Sequence, residues 1–102
     1  MAISQATLGT GATTIFTSSG SNATTAMFFM NDNVSARTLN VHVVQSGGTA
    51  GTTNKIIKAV NIDGGDTYVI NTEKLVLGNG DTIQASASAG SSIYATVSHV
   101  SI

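Results

Sequence analysis

The chain has 102 residues, of which 41% are apolar and only 9% charged, with a formal net charge of −1. This length suits one domain around one core, and cations confined to Arg37, Lys55, Lys58 and Lys74 form no basic stripe for phosphates, so nucleic acid is not an expected partner. Without cysteine, neither a disulfide framework nor a thiolate zinc site is available, and stability has to come from packing and backbone hydrogen bonds.

Ser, Thr and Asn supply roughly a third of the residues, above ordinary usage. The expected surface is therefore neutral, built of hydroxyls and amides. Residues 1–12 are small and polar, with Gly9 and Gly11 near their end and no periodicity; they read as an extended N-terminal arm. The start has no basic or continuously apolar stretch, so no signal peptide is expected and synthesis and assembly in a cytoplasm is the default. No segment approaches the roughly 20 apolar residues that span a bilayer, and a membrane is not an expected partner.

From Thr13 onward, runs rich in Val, Ile, Thr and aromatics alternate with Gly, Asn, Asp and Ser clusters. This spacing predicts strands over 13–17, 24–31, 37–44, 54–62, 67–71, 75–77, 82–88 and 93–102, and no helix. The fold expected is all-β: an antiparallel, jelly-roll-like β-sandwich over residues 13–102, preceded by the arm. Leu39, Val41 and Val43 alternate with Thr38, Asn40 and His42, giving one apolar and one polar face. In the last strand Ile93, Ala95 and Val97 are expected toward the core, with Tyr94, Thr96, Ser98, Val100 and Ile102 on the other face. The run Ala26-Met27-Phe28-Phe29-Met30 is apolar on both faces. It reads either as a central strand covered on both sides or as one whose outer face meets another subunit.

Gly64-Gly65-Asp66-Thr67 and Asn79-Gly80-Asp81-Thr82 echo one another and predict two similar hairpin-type turns, with Asp bonding its own backbone. Between strong strands, residues 46–53 are Gly- and Thr-rich and read as a mobile loop.

The chemistry-bearing residues are few. His42 and His99 are the only histidines; they would meet only if their strands paired, and a third ligand would have to come from a loop Asp, so they are read as structurally neutral and no metal is expected. Asp63, Asp66 and Asp81 fall in turns without the alternating oxygen pattern of a calcium loop, and read as turn formers. No serine lies in a Gly-x-Ser-x-Gly elbow, and Gly9-Thr10-Gly11 precedes no strand-turn-helix unit. Neither catalysis nor a cofactor is expected. Asn22-Ala23-Thr24 and Asn33-Val34-Ser35 match the glycosylation sequon but need a secretory route.

Three segments carry a resemblance: Ile15-Phe16-Thr17-Ser18-Ser19-Gly20-Ser21-Asn22-Ala23-Thr24-Thr25, then Met30-Asn31-Asp32-Asn33 and Leu39-Asn40-Val41-His42-Val43. The second half continues it with Ile62-Asp63-Gly64-Gly65-Asp66-Thr67-Tyr68-Val69-Ile70, Lys74-Leu75-Val76-Leu77, Gly80-Asp81-Thr82-Ile83 and Val97-Ser98-His99-Val100-Ser101-Ile102. In order, these resemble small β-sandwich virion proteins of tailed bacteriophages, with Asn22-Ala23-Thr24 departing from the Gly-Lys turn of that pattern. The resemblance implies a non-catalytic homotrimer, either a capsid decoration (cement) protein bound to the major capsid protein or a tail, fibre or baseplate component. As cement, a trimer at local three-fold positions would clamp several subunits at once, and the arm would reach a neighbour's sheet edge, so its removal is expected to spare the fold. A carbohydrate-binding sandwich is the remaining alternative, for which only Tyr68 and Tyr94 are available as a stacking platform.

Overall fold

The structure is a computed structural model that describes residues 2–72 and 74–102. Nine strands run in chain order: β1 (Ala2–Thr7), β2 (Thr13–Thr17), β3 (Asn22–Asn31), β4 (Arg37–Val44), β5 (Lys55–Ile62), β6 (Thr67–Ile70), β7 (Val76–Leu77), β8 (Thr82–Ala87) and β9 (Ile93–Ser101). Every pairing is antiparallel. Sheet A has the order β1-β9-β3-β6, with the short β7 also on β3, and sheet B has the order β2-β8-β4-β5. The expected jelly-roll-like sandwich is therefore present: the chain passes from one sheet to the other at nearly every connection and closes two interleaved sheets over one core. The only helical element among the described residues is one 3-10 turn at Thr52–Asn54.

The core is what the alternation dictates. Leu39, Val41, Ile83, Ala85, Ile93, Ala95 and Val97 are buried between the sheets, each on the inward face of its strand. Two β-bulges change that parity. On β2 an extra residue between Thr14 and Phe16 lets the neighbours Ile15 and Phe16 both be buried. On β3 a register shift between Thr24 and Ala26 moves the inward set from Asn22 and Thr24 to Met27, Phe29 and Asn31. That single inserted residue decides that Phe29 enters the core while Phe28 and Met30 point outward.

The arm expectation requires correction. Ala2–Thr7 is not free but forms β1, paired residue by residue with β9 from Ala2↔His99 to Thr7↔Tyr94. Leu8 follows into the core, 1% exposed. Small polar residues concealed the strand because β1 lies at a sheet edge and its inward positions are only Ser4 and Ala6. The sandwich thus begins well before residue 13, and Met1 lies outside the described residues.

The echoed turns are also placed differently from a hairpin. Asp66 N–H donates to Asp63 C=O at 3.0 Å and Asp81 N–H to Gly78 C=O at 3.2 Å. The third residue of each turn, Gly65 or Gly80, has φ of +77° or +86°, the left-handed backbone that favours glycine. Yet the first turn joins β5 in sheet B to β6 in sheet A, and the second joins β7 in sheet A to β8 in sheet B. They are corners between layers. Gly64 has a separate reason: a Cβ there would overlap the Val34 carbonyl of the neighbouring loop.

Candidate functional site

The residues singled out for chemistry are dispersed. His42 lies on β4 of sheet B and His99 on β9 of sheet A, so their strands do not pair. His99 stacks on Phe16, with ring centroids 4.2 Å apart, and shares a 3.3 Å hydrogen bond with Ser4 Oγ. His42 is buried, and its Nδ1 lies 3.0 Å from both Gly51 O and Asn54 Oδ1. Because both of those atoms accept, Nδ1 carries the proton and donates to them. Asp63 accepts from Asn61 Nδ2 and Asp66 from Thr67 N–H at the β5–β6 corner. Asp81, at the β7–β8 corner, accepts from Gly78 and Ser46 N–H, both at 2.9 Å. The carboxylates of Asp66 and Asp81 brace their turns through backbone N–H groups, whereas that of Asp63 meets the Asn61 side chain, and Asp81 also ties its corner to the loop after β4. Among the described residues no three His, Cys, Asp or Glu side chains converge.

Neither sequon asparagine is a simple surface residue. Asn22 is buried, donating to Ser18 Oγ at 2.9 Å and Ser19 O at 3.0 Å, while Asn33 Oδ1 accepts from Ser35 N–H within its own turn. Tyr68 packs inward against the core and Tyr94 lies on the outer face. The two tyrosines therefore do not form one stacking platform.

Residues 46–53, the Gly- and Thr-rich loop, fold over the outer face of β4. Asn54 organises them: its Oδ1 accepts from Gly51 N–H and its Nδ2 donates to Thr49 O, both at 2.9 Å. Beneath this cover Val44 is 1% exposed and His42 7%. One asparagine and the histidine below it supply hydrogen-bond partners for the loop.

The outer face of sheet A has no such cover. None of its five strands contains Asp, Glu, Lys or Arg. Three of the four cations lie on β4 and β5 of sheet B; the fourth, Lys74, donates to the Thr25 and Asn71 carbonyls at the margin of sheet A. Across β9, β3 and β6 the outward residues line up in register: Tyr94 opposite Met30, and Thr96 and Val69 on either side of Phe28. Phe28 is 40% exposed, Met30 37% and Val69 42%. Between the large apolar groups stand Thr96, Ser98 and Thr25, with Thr25 Oγ1 donating to Ser98 Oγ at 2.7 Å. The result is a surface of mixed apolar and hydroxyl character whose strands carry no charged residue, with Val76 and Ile3 toward its two margins. Such a face can bury apolar area against another protein without desolvating a charge.

Compared with protein-family models, with curated proteins and with solved structures, the chain matches none.

Proposed function

We propose that this chain is a non-catalytic structural subunit of a phage virion, a capsid decoration protein that seats the outer face of sheet A on the assembled head. The observation that carries the reading is the charge-free outer face, on which Phe28, Met30, Val69 and Tyr94 remain exposed although a polar loop of the same chain covers part of the opposite sheet. Exposed apolar groups gathered on one rigid sheet mark protein contact surfaces more often than solvated ones. The jelly roll is an architecture used by viral capsid proteins among others, and the segment-by-segment resemblance to phage virion proteins points in the same direction; fold alone would not carry the assignment.

The test is co-sedimentation of the purified protein with heads of the encoding phage that lack it. Binding is expected, together with at least tenfold weaker binding of Phe28→Lys and unchanged binding of Lys58→Ala on sheet B. Failure to sediment with heads would remove the decoration role, and sedimentation with tails instead would assign the chain to a tail or baseplate.

A further inference from the structure

The free edge of sheet A points to a specific mode of self-association. Leu8 directs both backbone groups toward β9 and its approach loop: its N–H donates to Ile93 C=O at 2.9 Å and its C=O accepts from Ser91 N–H at 3.1 Å. Ladder groups alternate along a strand, so Ala6, Ser4 and Ala2 also face β9, and the N–H and C=O of Ile3, Gln5 and Thr7 point away from the sheet. These six backbone groups lie at an edge with no further strand beside it among the described residues.

The other edges carry the features by which sheets block unwanted pairing. β5 has Lys55 and Lys58, two register shifts against β4, and Ala59 at φ +53°. β2 is bulged at Ile15, β6 has four residues and β7 two. β1 has six residues, no charge, no glycine or proline and an unbroken register with β9.

We infer that β1 pairs antiparallel with β1 of a second copy of this chain, making a two-fold dimer in which the two A sheets become one. The free positions are symmetric about Gln5, so placing Gln5 opposite Gln5 of the second copy sets Ile3 opposite Thr7 in both directions. All six free groups of each strand are then satisfied by the same register. A second copy suits the edge because the strand carries no charge that would repel itself, and the two-fold relation closes the assembly at two chains. Both outer faces lie on the same side of the joined sheet, which doubles the uncharged surface offered to a partner. This association differs from the trimer that the phage resemblance implies and stands independently of the decoration role.

Light scattering with size-exclusion chromatography on the full chain, over a range of concentrations, tests the inference together with amide hydrogen exchange. The expected mass is twice the 10.3 kDa of the chain, with slow exchange at Ile3, Gln5 and Thr7. Gln5→Lys places two ammonium groups face to face across the axis, and Gln5→Pro removes an N–H that β9 does not use, at an edge position where proline is tolerated. Both are expected to weaken association at least tenfold and to release the three amides, with thermal melting showing that the sandwich is retained; Gln5→Lys suffices if Gln5→Pro does not fold. A single chain at millimolar concentration, a trimer, or a dimer that survives Gln5→Lys overturns the inference.

Discussion

The outer faces of the two sheets show how differently one small domain treats its surfaces. On sheet B, Asn40 spans two strands, its Oδ1 accepting from Ala59 N–H at 2.9 Å and its Nδ2 directed at Ser86 Oγ at 3.5 Å. Lysines stand along the β5 edge, and residues 46–54 fold down over His42 and Val44. That face ties its polar groups to one another and covers His42 and Val44 with its own loop, leaving Ile56 near the edge as its large exposed apolar residue. On sheet A the apolar side chains at the centre of the face stay open to solvent, with hydroxyls but no charges between them. Covering such a surface with another protein would remove apolar area from water without desolvating a charge.

The contrast can be broken at several points. The largest effect is expected from deleting residues 2–12, which removes β1, exposes the β9 edge and takes Leu8 out of the core. Leu8 truncation alone should cost about 2–5 kcal/mol, so denaturant titration is expected to show a severely destabilised or unfolded chain rather than an intact sandwich lacking an arm. Asn54→Ala comes next. It withdraws one of the two acceptors from the buried His42 N–H and unties the loop, at an expected cost of about 1–3 kcal/mol; chemical denaturation should show this loss while binding through sheet A stays unchanged. Phe28→Lys is expected to lower stability by about 1 kcal/mol or less, since the lysine stem still covers the sheet, while head co-sedimentation falls at least tenfold. Lys58→Ala should change stability by no more than about 0.5 kcal/mol and leave binding unaltered in the same assay.

Much of the fold was legible because strands with a hydrophobic inner face announce themselves. β4 falls on 37–44 as the alternation predicts, and Ile93, Ala95 and Val97 are buried as their spacing requires. β1 was illegible for the converse reason: its inward positions, Ser4 and Ala6, are small, and its pairing is specified by β9 rather than by its own residues. The two-sided apolar run on β3 was visible, but whether its outer face is covered depends on tertiary structure. So does the bulge at Thr25, which selects Phe29 over Phe28 for the core. The loop cover on sheet B escaped notice because it rests on one contact set between Asn54, Gly51 and His42, residues up to twelve positions apart. The repeated Gly-Asp-Thr signalled tight turns correctly, but a local signal does not say whether the next strand pairs in the same sheet or crosses to the other.

Hydroxyl-radical footprinting of the protein free and bound to heads tests the central claim most directly, because Phe28, Met30 and Tyr94 on sheet A are all readily oxidised and all partly exposed. The account predicts that these three side chains lose reactivity together on binding while Ile56 on β5, 50% exposed on sheet B, keeps its own. Protection of Ile56 with Phe28, Met30 and Tyr94 unchanged would contradict it and place the contact on the opposite sheet.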